Sequence, residues 1–125
     1  LKIINAMFAK GLGGIEQAFL DYTKALCIAG HEVICVVQPR AKIIEKLIEI
    51  KEEFPKAITI KKIPNHGWWD IFASRCLECV IRKSDAEIVI AHGNRPTSLL
   101  KYGCKKNNVK LVSVAHNYKI KPLLK

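Results

Sequence analysis

Three short segments of this chain hold residues able to do chemistry. Gly11-Leu12-Gly13-Gly14 stands between a strand-like run and a helix-like run. Glycines there let the backbone approach a ligand closely, and the free N–H groups of a helix start attract an anion. The bland reading of the same segment is a tight strand-to-helix turn. Two nucleotide signatures are excluded. A phosphate loop of the Walker type needs Lys-Ser/Thr after its last glycine, where Ile15-Glu16 stand, and the dinucleotide fingerprint needs a third glycine where Glu16 stands. Glu16 also suits a first helical turn for its own sake, as a carboxylate at the positive end of the helix dipole. His92 and His116 each follow a short, buried-looking strand. A histidine in that place can donate to a substrate hydroxyl or phosphate, or shuttle a proton near neutral pH. Neither belongs to a His-x-x-x-His or Cys/His pair of metal-ligand spacing, so no metal is expected. His31 and His66 read as turn or surface residues.

Cys76-Leu77-Glu78-Cys79 has the spelling of a dithiol motif, but both sulfurs fall on an apolar helical face with Trp69, Phe72 and Val80. The expectation is two small hydrophobes in the core rather than a redox or zinc site. The five cysteines sit in apolar runs, which fits a reducing compartment. The formal charge of +10 is unevenly placed: Arg95 to Lys125 contain eight basic residues and no acidic one. Lys101, Lys105 and Lys106 are explained by a solvated helix face. A basic end beside a crevice also suits phosphates or an anionic lipid surface. Nucleic acid is disfavoured, because Tyr102 and Tyr118 are the only aromatics near the patch and no recognised binding motif occurs.

The elements that must position these residues follow from hydrophobic period. Lys2–Met7, Val33–Val37, Ala57–Ile63, Glu87–Ala91 and Val109–Ala115 are short stretches rich in β-branched residues that predict strands, Val33–Val37 as a continuous apolar run. Between them lie four helical patterns. The first places Ile15, Ala18, Phe19, Tyr22, Leu26 and Ala29 on one face and stops at Gly30; the second, from Ile43, closes before Pro55; the third carries Trp69 to Val80; the fourth opens at Pro96 and carries Leu99, Leu100 and Cys104. Five strands alternating with four helices predict one α/β domain over residues 1–125, a doubly wound Rossmann-like parallel sheet of order 3-2-1-4-5. In that order the switch point lies between strands 1 and 4. The loops Phe8–Gly14, His92–Arg95 and His116–Lys119 then converge at the strands' carboxyl ends, where ligands of such sheets bind. No apolar run approaches the roughly 20 residues of a membrane span, and no basic-then-apolar leader opens the chain. Leu1 in place of Met leads to the expectation that the start was trimmed or is not the native one.

Four segments in register resemble one family. Phe8-Ala-Lys-Gly-Leu-Gly-Gly-Ile-Glu16, Gly30-His-Glu-Val33, Glu87-Ile-Val-Ile-Ala-His-Gly93 and Val112-Ser-Val-Ala-His-Asn117 resemble the N-terminal, acceptor-side domain of family-four retaining glycosyltransferases of the GT-B fold. The resemblance implies half of a two-domain architecture, with the nucleotide-sugar donor bound mainly by a second domain. It implies that Gly13 and Gly14 approach the donor diphosphate and that His116 contacts the transferred sugar near its reacting carbon, as the catalytic residue. It implies that His92, Asn94 and Arg95 line the acceptor cleft, with Glu16 ordering it. Lys119, with Lys121, would meet an acceptor phosphate or the membrane. The donor enters as a substrate; no cofactor or metal is implied.

One departure is Ile90, where relatives carry the first histidine of "H-A-H-G". The donor-binding domain, with its acidic pair, has no counterpart in these residues. A transfer needs both sugars held in one closed cleft, so the expectation is no transferase activity from this stretch alone, and exposed apolar surface where covering helices would sit. An excised domain, a truncated or split gene product and one half of an assembling pair all fit. The implied setting is glycan, lipopolysaccharide or glycolipid synthesis in the cytoplasm, at the inner membrane face. The alternative is a non-catalytic Rossmann-like module that binds a phosphate-bearing ligand or nucleic acid through its basic last quarter.

Overall fold

The computed structural model describes residues 1–7, 14–63, 70–92, 100–101 and 103–114, and of 70–73 only the backbone. Five strands, β1 (Lys2–Met7), β2 (Glu32–Val37), β3 (Ile58–Lys62), β4 (Ile88–His92) and β5 (Lys110–Val114), form one sheet. Their order is β3-β2-β1-β4-β5, and every pair is parallel. This is the doubly wound topology expected from the alternation of strand and helix patterns. Helices α1 (Gly14–Ile28), α2 (Ile44–Glu53) and α3 (Asp70–Ser84) supply crossovers, and residues 100, 101 and 103–106 are helical between β4 and β5.

Period-two alternation sorts the strand side chains into two cores. Met7, Val33, Cys35, Val37 and Ile58 pack with Phe19, Leu20 and Cys27 of α1 and Leu47 of α2. Ile4, Ala6, Val36, Val89 and Ala91 pack on the other face with Leu77 and Ile81 of α3 and with Leu100 and Cys104. The two edges are guarded differently. β3 ends in exposed Lys61 and Lys62, a charged edge that discourages further pairing. On β5, Val112 is 37% exposed and Leu111 and Val114 are half-buried, so this strand is the least covered of the five.

Helix ends follow backbone chemistry. Gly30, at φ +93°, takes the left-handed position after α1; its N–H donates to the Cys27 carbonyl and that of His31 to the Leu26 carbonyl, both at 3.0 Å. This pair of bonds is the Schellman stop. Asn108, at φ 58°, repeats it with the Val109 N–H on the Cys104 carbonyl at 2.9 Å, since asparagine tolerates this region better than other side chains.

Two helical faces differ from the sequence expectation. On α1 the buried residues are Glu16, Phe19, Leu20, Thr23 and Cys27, whereas Tyr22 and Ala29 are exposed. The helix is rolled so that a polar residue, Thr23, faces the sheet. The reason is Asn5, fully buried in the central strand, whose amide needs a partner there. On α3 the buried residues include Leu77, Glu78 and Ile81, and Cys76, Cys79 and Val80 are only half-buried. The two sulfurs are therefore at the margin of the apolar face, not at its centre.

Glu78 explains that roll. Its Oε2 accepts from Asn107 Nδ2 at 3.0 Å and lies 3.6 Å from Arg82 Nη1, tying α3 to the end of the helix before β5. The Asn107 hydrogen bond, with Arg82 and Lys106 behind it, holds the Glu78 carboxyl below its ordinary value despite an opposing contribution from burial. A carboxyl with a depressed folded-state pKa stabilises above its unfolded pKa and loses that contribution as pH falls through the folded one. We expect wild type to exceed Glu78→Gln in urea midpoint at neutral pH, with the gap closing as pH drops below the carboxylate range. A gap independent of pH would contradict the assignment.

Candidate functional site at the carboxyl ends of the central strands

β1 and β4 are neighbours, and their last residues, Met7 and His92, are register partners. The switch point of the sheet lies between them, because β2 leads away from β1 on one side and β5 from β4 on the other. His92 is the final residue of β4 rather than the first of the loop, and it is 1% exposed. Strand alternation turns it toward α1, where its ring stands edge-on to Phe19 and Tyr22, with centroids 5.5 and 4.9 Å away.

A polar cluster lies under that ring. His92 Nε2 is 2.7 Å from Asn5 Oδ1. Asn5 Nδ2 donates to Thr23 Oγ1 at 2.9 Å and reaches the Phe19 carbonyl at 3.4 Å. The Thr23 hydroxyl donates to the same carbonyl at 2.8 Å, and Cys35 Sγ is 3.7 Å from it. Four polar side chains thus join β4, β1, α1 and β2 inside a low-dielectric core, where a satisfied network holds one arrangement firmly.

Of the other residues singled out from sequence, Gly14 is the first residue of α1 and Glu16 lies in its first turn, 7% exposed. The unpaired N–H groups of that turn favour an anion beside them. β1 ends at Met7 and α1 begins at Gly14, so the two flank Gly11-Leu12-Gly13 in sequence. Gly13, Asn94, Arg95, His116 and Lys119 lie outside the described residues, as does most of the Trp68-Trp69-Asp70 segment. Lys101, Lys105, Lys106 and Lys110 are exposed, as a solvated basic face requires. No group of three or more His, Cys, Asp or Glu suited to a metal ion occurs among the described residues. No helix among them is long and apolar enough to cross a membrane.

Asn5 and Thr23 were missed by sequence reasoning. A polar residue in the middle of an apolar strand, Asn5 within Ile3-Ile4-Asn5-Ala6-Met7, was the available signal. An amide buried there needs a partner, and the partner marks the neighbouring polar cluster.

Burial also divides the thiols. It pushes Cys35 up to about 12 and Cys104 up to about 11, and raises Cys27, where Glu53 adds to the effect. Cys76 and Cys79 instead line a cavity of about 460 Å³ with Ile34, Lys61, Val80, Lys83 and Ser84. Because the thiolate is the nucleophile, a native-state alkylation time course is expected to modify Cys76 and Cys79 first and to leave Cys27, Cys35 and Cys104 until the chain unfolds. Early labelling of Cys35 would contradict the packing of α1 on β2.

No family model matches the chain, and no curated protein does. A glycosyltransferase from Rickettsia africae superposes on 98% of the chain with a TM-score of 0.74 at 17% identity. MurG of Acinetobacter baumannii superposes on 92% with a TM-score of 0.70 at 16% identity. The chain spans about a third of each, 32% and 35% of their lengths. The C-terminal domain of a Pyrococcus furiosus hydrogenase matches 90% of both chains with a TM-score of 0.53 at 19% identity. The fold is thus the Rossmann-like α/β sheet found in these glycosyltransferases.

Proposed function

We propose that this chain is the acceptor-side, N-terminal portion of a family-four retaining glycosyltransferase of the GT-B type. The whole enzyme would move a sugar from a nucleotide-sugar donor to a glycan or lipid-linked acceptor in cell-surface polysaccharide or glycolipid synthesis. The observation that carries the reading is the superposition on two glycosyltransferases over more than nine-tenths of the chain, joined to the four family-like segments in the same order. Under it, Gly13 and Gly14 approach the donor diphosphate. His116 acts on the transferred sugar, while Glu16, His92, Asn94, Arg95 and Lys119 build the acceptor side. No metal or cofactor takes part. The setting is the cytoplasm, with the basic last quarter resting on anionic lipid at the inner face. The donor-binding half is supplied by further chain or by a separate polypeptide, and the stretch alone holds one wall of the cleft and transfers nothing.

Amide chemical shifts of the 125-residue chain, titrated separately with glycan acceptors and nucleotide-sugars, test this. An acceptor should shift residues at the carboxyl ends of β1 and β4, whereas a nucleotide-sugar alone should give the weaker response. Shifts confined to Lys101–Lys110 with either ligand would overturn the reading. The second reading is a non-catalytic Rossmann-like module that binds a phosphate-bearing ligand or nucleic acid through its basic last quarter, and the eight basic and no acidic residues from Arg95 to Lys125 favour it. Retention on single-stranded DNA that collapses between low and moderate salt, with none on anionic vesicles, would favour it.

A further inference from the structure

We infer that Asn5 and Thr23 are positioning residues that fix His92 as its Nε2–H tautomer, so that the neutral ring can only accept at Nδ1. The inference follows from proton bookkeeping along the buried cluster. The Phe19 carbonyl oxygen can only accept. Thr23 Oγ1, 2.8 Å from it, has one proton and places it there. The lone pairs of Thr23 are then what Asn5 meets at 2.9 Å, so the Asn5 group facing it is the amide nitrogen, which also points at the Phe19 carbonyl at 3.4 Å. Turning the amide over would set its oxygen 3.4 Å from that carbonyl. It would also draw the Thr23 proton away, leaving two unprotonated oxygens 2.8 Å apart. With the nitrogen so placed, Asn5 Oδ1 faces His92 at 2.7 Å and can only accept. Nε2 therefore carries the proton, and in a neutral imidazole Nδ1 carries the lone pair. The edge-on rings of Phe19 and Tyr22 hold the imidazole plane against rotation.

The consequence is that whatever hydrogen-bonds His92 at Nδ1 must donate to it, as a hydroxyl or an N–H does and a carbonyl oxygen cannot. The tautomer does not rest on the glycosyltransferase reading, so the two fail separately.

Long-range ¹H–¹⁵N spectra of histidine-labelled full chain at neutral pH decide the tautomer without any variant. The expected pattern for His92 is a protonated Nε2 and a pyridine-like Nδ1 in a single population. An Nδ1–H ring, or a fully protonated one, would overturn the proposal. Thr23→Ser keeps the hydroxyl and should leave the pattern unchanged. Thr23→Val removes it and should admit the second tautomer; an unchanged single tautomer there would overturn the role given to Thr23.

Discussion

Asn5→Leu is expected to destabilise the chain by about 3 kcal/mol, because it leaves the buried His92 Nε2–H without its acceptor and removes the donor that Thr23 accepts from. Asn5 is fully buried in the central strand and His92 is 1% exposed, so water cannot replace either bond. Leucine keeps the branched shape of asparagine and leaves no cavity, so the loss reads the broken polar network with a smaller contribution from added bulk. Denaturant midpoints measure it, with the slope unchanged if the denatured state is unaffected. A cycle with Thr23→Val should show strong coupling, the double variant losing clearly less than the two single losses added together, because both remove parts of one cluster. A neutral Asn5→Leu would mean that His92 has another arrangement of equal energy, and the account of the cluster would fail.

Gly103→Val should also cost about 3 kcal/mol, through overpacking. A Cβ at Gly103 would stand 3.0 Å from the Glu78 Cα and 3.0 Å from Ile81 Cδ1, so part of what it meets is the backbone of α3. The Ile81 methyl can turn away; the Glu78 backbone cannot. Separation of the two helices would stretch the Asn107–Glu78 hydrogen bond and loosen Leu77, Leu100 and Cys104, which share one core. Gly103→Ala should cost less, since alanine recovers about 1 kcal/mol of helix propensity over glycine. A valine variant as stable as wild type would mean that α3 packs elsewhere.

Much of the architecture was legible because parallel strands buried on both faces read as continuous apolar runs. Val33–Val37 and Ile88–Ala91 announce themselves in this way, and the alternation with helical periods then fixes the topology almost alone. The roll of the helices was not legible. On α1 the apolar period selected Tyr22 and Ala29, yet Thr23 is turned inward by Asn5, 18 residues away, and His92 is held from 87 residues away. Hydrophobic period weighs each position by its own polarity and cannot register that two polar groups satisfy each other. The same holds on α3, where Glu78 is drawn inward by Asn107 and the cysteines roll to the margin. At the site, the convergence of strand ends could be read from topology. The chemistry of His92 could not, because it depends on which way a distant amide points.

The central claim is that these 125 residues are one wall of a sugar-transfer cleft. Sequencing the gene beyond the codon for Lys125, and assaying the joined or co-expressed chains for transfer from nucleotide-sugars, tests it most directly. The account predicts a second α/β domain bearing a Glu-x7-Glu segment, in frame or as a separate partner, and sugar transfer that His116→Ala abolishes. Unrelated sequence together with no separate donor-domain partner, or joined or co-expressed chains that neither transfer nor hydrolyse any nucleotide-sugar, would contradict it and leave a Rossmann-like binding module in its place.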